Sequence, residues 1–282
     1  AESLGLHSLW LPENHFRGRS AIPAPQLLLA AAAARTSRLK LGCVSYLLPI
    51  RNPLLAAEEI AVLDNLCEGR LILGLGRGIQ PEVFEAFGIE SRSKRDLFSR
   101  SLEIMRRAWG GQDLAEGKAA RPVKLAPAPP TAAGPTLWAA AMGPKALRQI
   151  AELGLPYLAS PVETLDQLRD NYRDYNTYAS QAGHAPTDTV PIVRTIFIDE
   201  RPSRCTAMLE ALRKQVPPRL SAKAGSMEDV AIVGPRALVT ERLAALKDLT
   251  GVTHLVARGG LPGLTPAEQV ACLEQLATAV TA

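Results

Sequence analysis

The sequence predicts an α/β protein with the fold of a TIM (β/α)8 barrel. Short aliphatic segments alternate with helical segments along all 282 residues, which is typical of a parallel sheet with crossover helices. Seven strands can be assigned in this way, each followed by a helix. Residues 1–5 have the pattern of a helix end that stops at Gly5, so we expect one further strand upstream. Eight βα units with the helices outside make a barrel, whose first strand is missing from this chain.

A doubly wound open sheet is the alternative fold. It is disfavoured because no GxGxxG motif opens the chain, and no acidic residue follows the first βα turn at the distance that dinucleotide sites use. No linker divides the sequence into two parts. We therefore expect residues 1–282 to form a single barrel domain.

Residues 1–141 are predicted to contain four strands and four helices. One helix has Pro25 in its first turn and another ends before Gly69, and both residue types commonly mark helix boundaries. The segment that ends at Trp109 is amphipathic over its whole length. The strands are predicted at 6–11, 39–46, from 71 onwards and at 136–141, and the helices at 24–35, 54–66, 81–87 and 93–109.

Residues 142–282 are predicted to continue the same alternation. Glycines at 154 and 183 end two of the helices, and a β-branched run precedes residue 199. The strands are predicted at 155–159, 189–199 and 251–258, and the helices at 145–153, 165–182, 203–216, 235–249 and 266–279. Two segments rich in proline or glycine lack any period and are expected to be irregular excursions, near 110–135 and 217–234.

The composition narrows the classes of partner. The formal charge of +4 comes without a basic run interleaved with aromatic residues, so we expect no nucleic acid partner. No segment reaches the roughly 18 apolar residues of a membrane span, and no signal peptide opens the chain. The four cysteines lack metal or disulfide spacing, which favours reduced thiols in a cytoplasmic protein without a metal site.

A glycine-rich strand end is the strongest local motif. The run Leu71-Ile72-Leu73-Gly74-Leu75-Gly76-Arg77-Gly78 begins as a buried strand and ends in three glycines and an arginine. Accessible backbone N–H groups beside a cation are suited to a phosphate or another anion. In a barrel this motif lies at the carboxyl end of a strand, where active sites are built.

The other predicted strand ends supply few carboxylates. The residues found there are Glu13-Asn14-His15, Val44-Ser45-Tyr46, Gly76-Arg77-Gly78, Met142-Gly143-Pro144, Ala159-Ser160, Arg194 and Arg258. They include no acid pair for glycoside hydrolysis, no His/Asp/Glu metal set and no nucleophile elbow. A basic mouth of this kind suits an anionic cofactor that supplies the chemistry itself.

Two stretches of the sequence resemble the bacterial luciferase-like, flavin-dependent monooxygenases. One is Ser8-Leu9-Trp10-Leu11-Pro12-Glu13-Asn14-His15-Phe16. The other runs from Leu48-Pro49 through Arg51-Asn52-Pro53, Glu58-Glu59 and Gly69-Arg70 to the glycine-rich strand end. In addition, the short segment Gly251-Val252-Thr253-His254-Leu255 is similar to the family's last strand. The resemblance covers the chain and is strongest over residues 8–110.

The resemblance implies an enzyme with reduced FMN as cosubstrate and dioxygen as oxidant, which oxygenates a small organic substrate. A separate flavin reductase would supply the reduced FMN. The family commonly dimerises through helices that correspond to residues 24–36 and 53–66, so a homodimer is expected. By position, the cofactor-binding residues would be Val44, Ser45, Gly76, Arg77, Gly143 and Ser160.

Individual roles follow from the same resemblance. Arg77 would clamp the flavin phosphate, and the Val44–Ser45 peptide would be cis beneath the flavin ring. Gly143 would direct backbone N–H groups at a helix start toward the phosphate. Tyr46 would cap the ring or the substrate pocket, or serve as packing. From its place in the predicted strand at 189–199, Arg194 would bind an anionic substrate or the flavin, or form an ion pair.

The sequence departs from the family pattern at two positions. The family has Glu-His-His where this chain has Glu13-Asn14-His15, and the first histidine is assigned a proton-transfer role. Asn14 can hydrogen-bond but cannot take a proton at neutral pH, so His15 is the candidate acid or base. Met142 replaces a polar residue near the phosphate, which leaves more of the phosphate binding to Arg77 and the backbone.

Two other functions are compatible with the same sequence. One is a deazaflavin-dependent hydride-transfer oxidoreductase, which keeps the fold and changes the cofactor. The other is a non-catalytic, luciferase-like subunit, for which Asn14 is the supporting feature. The substrate pocket is expected to be shaped by the two irregular excursions.

Overall fold

The computed structural model describes residues 1–18, 21–115, 121–215 and 226–281. The chain divides into two compact units, each of which combines parallel strands with helices. The first unit comprises Ala1–Glu2 and Leu6–Ala140, and the second comprises Ser3–Gly5 and Ala141–Ala282.

The first unit contains four parallel strands in the order β1-β2-β3-β4, which is also their order in the chain. The strands are β1 (Ser8–Leu11), β2 (Lys40–Leu47), β3 (Leu71–Gly76) and β4 (Thr136–Ala140). The helices are α1 (Pro25–Ala33), α2 (Pro53–Leu66), α3 (Pro81–Ala86) and α4 (Lys94–Trp109). Proline opens three of the four helices, where its missing N–H costs no hydrogen bond. The predicted alternation is confirmed in this unit.

Two stacked tryptophans show that this sheet is strongly curled. Trp10 lies on β1 and Trp138 on β4, with β2 and β3 between them. In a flat sheet three strand spacings of ~4.8 Å would separate the outer strands by roughly 14 Å. Their ring centroids are instead 4.9 Å apart, with an interplanar angle of 21°. Gly42 on β2 allows this arrangement, because a Cβ there would lie 2.7 Å from Trp10 Cδ2.

The second unit is built around its longest strand. The strands are β5 (Tyr157–Leu158), β6 (Pro191–Ile198), β7 (Ala231–Gly234) and β8 (His254–Ala257). The first half of β6 pairs in parallel with β8, and the second half pairs in parallel with β7. The helices are α5 (Pro144–Glu152), α6 (Leu165–Gln181), α7 (Pro202–Gln215), α8 (Met227–Val230), α9 (Arg236–Thr250) and α10 (Pro266–Thr281). A bridge between Ala159 and Ile192 joins β6 to the residue after β5.

The predicted irregular excursion near 217–234 is wrong for its described part. Residues 227–230 form the helix α8 and residues 231–234 form β7, so the described chain has eight strands where the sequence indicated seven. The run Ala-Ile-Val-Gly is too short to be recognised by period, and its strand character comes from pairing with residues 195–198. Residues 217–225 of this prediction lie outside the described residues. The excursion near 110–135 contains neither helix nor strand at its described residues, as predicted.

Candidate active site

The loop that follows β1 carries a buried carboxylate. The side chain of Glu13 has 0% exposure and lies between groups from three parts of the first unit. Its Oε1 is 2.8 Å from Nε2 of His15 and accepts a hydrogen bond from Nη1 of Arg51 at 2.9 Å. Its Oε2 accepts the backbone N–H of Leu47 at 2.9 Å. The end of β1 is thereby fixed to the end of β2.

Arg51 connects this carboxylate to Tyr46. Its Nη1 also donates to the carbonyl of Leu47 at 2.8 Å, and its guanidinium carbon lies 3.9 Å from the centroid of the Tyr46 ring. Burial raises the pKa of the Tyr46 phenol although the Arg51 cation opposes this shift. The Tyr46 hydroxyl is buried and has no hydrogen-bond partner among the residues that the structure describes. A group that entered there would satisfy a polar atom that is otherwise costly to bury.

Asn14 has a local structural role. Its Oδ1 accepts the backbone N–H of Ile22 at 2.9 Å, and its own N–H donates to the carbonyl of Ile22 at 3.1 Å. The side chain thus closes the loop that begins at His15. The amide oxygen of Asn14 therefore has a structural role, which is to hold Ile22 beside the end of β1.

His15 lies between two phenylalanines and lines a cavity of about 430 Å³. Its ring is 5.2 Å from the Phe87 ring in an edge-on arrangement and 5.9 Å from the Phe16 ring. Phe16 has a left-handed backbone with φ of 58° and is 70% exposed. An exposed aromatic side chain in this conformation is uncommon, so the local structure holds it outside the core. The cavity wall also includes Arg51.

The ends of β2 and β3 are in close contact at Ser45 and Gly76. The Val44–Ser45 peptide is cis, as the family resemblance implied. A Cβ on Gly76 would lie 2.8 Å from the Ser45 Cβ, so only glycine allows the two strands to approach here. The β2–β3 register shifts by one residue between Val44 and Tyr46.

Arg77 follows directly and belongs to a group of cations. Burial and the nearby Arg95 lower the pKa of the Arg77 guanidinium. The Nζ of Lys94 lies 3.3 Å from the Gly78 carbonyl, and the pKa of Lys94 is lowered by burial and then by Arg77 and Arg95. Cations that are partly desolvated and repel one another favour an anion between them.

The second unit contains a buried polar network at the end of β5. The carboxylate of Glu163 accepts hydrogen bonds from the Tyr157 hydroxyl, the Asn171 amide and the backbone N–H of Ser160. Burial raises the pKa of the Glu163 carboxyl, with these hydrogen bonds opposing it.

Arg194 completes this network and is only 1% exposed. Its Nη1 donates to the carbonyl of Ser160 at 3.1 Å and its Nη2 to the carbonyl of Glu163 at 2.8 Å. Burial lowers the pKa of its guanidinium, while Glu163 opposes that shift. The guanidinium therefore supports the backbone that contains Ser160, which is the geometry of a structural contact.

Gly143 precedes the first turn of α5 with φ of 86°, a conformation that suits glycine. Space within 4 Å of its missing Cβ contains no described atom, so the helix start is accessible at this point. The carbonyl of Gly143 accepts the N–H groups of Ala146 and Leu147. The neighbouring Met142 is 39% exposed.

The predicted site residues lie near the carboxyl ends of strands, except Arg194, which lies in the middle of β6. Val44, Ser45 and Tyr46 belong to the last four residues of β2, and the others end a strand or follow one. In the first unit the predicted site residues are Asn14, His15, Val44, Ser45, Tyr46, Gly76 and Arg77, and in the second unit they are Gly143, Ser160 and Arg194. Sequence reasoning did not select Glu13 or Glu163. Glu13 is adjacent to the predicted pair Asn14 and His15, and a carboxylate two residues from a candidate base was the available signal. Glu163 gave no such signal.

The described residues contain no helix of the length and hydropathy needed to cross a membrane. In the same residues, no three His, Cys, Asp or Glu side chains are grouped in a way that could hold a metal ion.

The family model for luciferase-like monooxygenases matches residues 1–254. The chain therefore belongs to the luciferase-like monooxygenase family. It is 27% identical to the uncharacterized protein y4wF of Sinorhizobium fredii over 93% of this chain and 83% of that protein. It is also 32% identical to limonene 1,2-monooxygenase of Rhodococcus erythropolis, although that match covers 41% of this chain and only 30% of that enzyme.

Solved structures share the fold over nearly the whole chain. The monooxygenase RslO1 from Streptomyces bottropensis has a TM-score of 0.85 at 24% identity and covers 100% of this chain and 89% of its own. The oxygenating constituent of 3,6-diketocamphane monooxygenase from Pseudomonas putida, in complex with FMN, has a TM-score of 0.82 at 24% identity over 99% of this chain and 89% of its own.

The coenzyme F420-dependent tetrahydromethanopterin reductase from Methanopyrus kandleri has a TM-score of 0.77 at 19% identity, over 98% of this chain and 90% of its own. These likenesses confirm the predicted fold class, a (β/α)8 barrel of the luciferase-like type.

Proposed function

We propose that the protein is a two-component, flavin-dependent monooxygenase that uses reduced FMN and dioxygen to oxygenate a small organic substrate. The observation that carries this proposal is the cation group around Arg77. Arg77 directly follows Gly76, and Gly76 is the residue at which the close approach of Ser45 requires glycine. Burial and the nearby Arg95 lower the pKa of Arg77. A cation at a strand end is well placed to hold a phosphate through charge-assisted hydrogen bonds.

The residues of the first unit fit an anionic cofactor with a planar ring. Arg77 would hold the phosphate, and Val44, Ser45 and Gly76 would form the surface beneath the ring. The buried hydroxyl of Tyr46, which has no hydrogen-bond partner within the described part of the chain, would hydrogen-bond to the ring or to the substrate. When bound, reduced FMN would supply the electrons with which dioxygen is activated.

The remaining predicted residues have proposed roles that follow from their placement. His15 would hold or transfer a proton beside the cavity that it lines. Asn14 would keep the His15 loop closed through the N–H of Ile22. Gly143 and Ser160 would offer backbone groups to the cofactor. Arg194 would act on substrate binding through the carbonyl of Ser160, because its own guanidinium is buried.

The proposed partners come from the relatives and from one exposed surface. The relatives' names include a limonene and a 3,6-diketocamphane monooxygenase, which supports a small organic substrate, and a flavin reductase would supply reduced FMN. The helices α1 and α2 expose five leucines, which supports a homodimer through them: Leu27, Leu28, Leu54, Leu55 and Leu66. We further propose that residues 1–282 form one barrel domain in the cytoplasm.

A titration of the purified protein tests the cofactor. Reduced FMN under anaerobic conditions is expected to bind, and admission of dioxygen with a candidate substrate is expected to yield an oxygenated product. Failure of both oxidised and reduced FMN to bind at high concentration would refute the proposal.

The deazaflavin-dependent reductase is the second candidate, because F420-dependent enzymes share the fold. A parallel titration with F420 separates the two candidates, since a hydride-transfer enzyme would bind the deazaflavin and consume no oxygen. A third candidate is a non-catalytic subunit. It would bind flavin or another chain without turnover.

A further inference from the structure

The carboxylate of Glu13 accepts hydrogen bonds from two groups that can only donate. These are the guanidinium of Arg51 and the backbone N–H of Leu47, at 2.9 Å each. An ionised carboxylate has only acceptor atoms and no proton to donate. Any further hydrogen bond to Glu13 must therefore be donated by the partner.

That requirement fixes the protonation of the nearer histidine nitrogen. Nε2 of His15 lies 2.8 Å from Glu13 Oε1, so Nε2 carries a proton. In the neutral ring the other nitrogen, Nδ1, is then the acceptor. The described residues offer no hydrogen-bond donor to Nδ1, and the ring lines the cavity of about 430 Å³.

The position of Glu13 is itself held by a closed set of contacts. The backbone N–H of Leu47 donates a hydrogen bond to Glu13. Nη1 of Arg51 donates both to the Glu13 carboxylate and to the carbonyl of Leu47. Rotation of the carboxylate would break bonds to both residues. The carboxylate is thus a rigid reference for the imidazole ring, and Phe87 packs edge-on against that ring at 5.2 Å.

We propose that Glu13 is a positioning residue that fixes His15 as the Nε2–H tautomer and so makes Nδ1 the working nitrogen of the site. This inference rests on the proposed role of His15. Nδ1 accepts a hydrogen bond from an O–H or N–H group of a ligand in the cavity. In a proton transfer the donor's proton moves to Nδ1, the donor keeps its electron pair, and the ring becomes an imidazolium that still donates Nε2–H to Glu13.

The tautomer can be measured directly by ¹⁵N NMR of histidine-labelled protein without flavin. The chain has four histidines, and the spectrum of His15→Gln assigns the His15 signals. We expect Nδ1 of His15 in the unsubstituted protein to resonate as a bare ring nitrogen and Nε2 as a protonated one. In Glu13→Gln the amide can donate or accept, so the Nδ1 signal should move toward the protonated position. The exposed Glu59 lines the same cavity, and Glu59→Gln should leave the His15 signals unchanged.

A protonated Nδ1 in the unsubstituted neutral ring overturns the proposal, and this result needs no variant to fold. An unchanged Nδ1 signal in a folded Glu13→Gln protein overturns it as well. Because flavin is absent from these samples, the result is separable from the proposed function. Loss of FMN binding in the titration above would refute the monooxygenase and leave the Glu13–His15 relationship intact.

Discussion

The side chain of Asn14 accepts the backbone N–H of Ile22 at 2.9 Å, which closes the loop that carries His15. Substitution of Asn14 by leucine should therefore expose the Ile22 amide to faster hydrogen exchange and lower the free energy of unfolding by about 0.5–1.5 kcal/mol. Asn14→Asp keeps an acceptor oxygen and should retain the protection. Equal exchange of the Ile22 amide in both variants would contradict this role.

The same contact means that Asn14→His would alter the loop structure as well as add an imidazole. A histidine at this position would restore the family's Glu-His-His pattern but would remove the amide oxygen that Ile22 uses. We expect Asn14→His to lose Ile22 protection as Asn14→Leu does. A gain of monooxygenase activity in this variant would instead favour the non-catalytic subunit, because the unsubstituted chain would then lack an essential base.

Arg77→Ala should weaken the binding of FMN by about 2–3 kcal/mol, because a charge-assisted contact to the phosphate is lost. Riboflavin lacks the phosphate, so its affinity should change little, and this comparison separates a lost clamp from a disturbed pocket. Arg107→Ala on α4 is a control, since this arginine is partly exposed and contacts Gln112 and the backbone of Asp113. Unchanged FMN affinity in Arg77→Ala would remove Arg77 from the site.

Gly76→Ala should lower the free energy of unfolding by about 1–3 kcal/mol, because the added methyl group overlaps Ser45. Gly259 is the matched control, since space is open around its missing Cβ and its φ is not in the left-handed region. Gly259→Ala should leave the stability unchanged or slightly raised. Denaturant unfolding of the two variants measures the difference, and equal midpoints would contradict the predicted overlap.

Arg194→Met should lower the free energy of unfolding by about 3–5 kcal/mol, since the buried carbonyls of Ser160 and Glu163 lose the hydrogen bonds that the guanidinium donates. Arg173→Met on α6 is the control, because this arginine pairs with Asp170 and Asp174 and is 66% exposed. The control should change stability by no more than about 0.5 kcal/mol. A similar small loss in both variants would show that Arg194 is dispensable for the second unit.

The stability of the protein should fall in acid partly through Asp199. Hydrogen bonds from Arg201 lower the pKa of this carboxyl from 3.8 to about 2. The folded state thus prefers the ionised form, and its contribution is present above pH 3.8 and is lost as the pH falls through about 2. Asp199→Asn should be less stable than the unsubstituted protein at neutral pH, and the difference should vanish near pH 2. Thermal unfolding across this range, with the exposed Asp188→Asn as control for charge removal, tests the prediction.

Most strands and helices could be predicted from the sequence, because the spacing of apolar residues and the helix-boundary residues define them. Proline at the helix starts and glycine at the ends placed most elements correctly, because these effects act within a few residues. The strand β7 could not be predicted, since four residues show no period and their strand state depends on pairing with β6.

The candidate site was predictable in part for a related reason. The alternation of strands and helices predicts which residues lie at strand ends. The family resemblance singled out Arg77 and the cis peptide between Val44 and Ser45. The partners of Glu13 and Arg194 depend on contacts between residues 34 and 38 positions apart along the chain. Such contacts place Arg194, a predicted substrate residue, against the carbonyls of Ser160 and Glu163. They also bring Glu13 within hydrogen-bond distance of Arg51.

The stacked pair of Trp10 and Trp138 gives the first unit an internal optical reporter. The chain has three tryptophans, so two of its three strongest ultraviolet chromophores lie in contact across the curl of one sheet. Their transitions are coupled only while the outer strands β1 and β4 are brought together. Loss of this coupling in circular dichroism would therefore record the opening of this sheet separately from the melting of the helices, with no label attached to the chain.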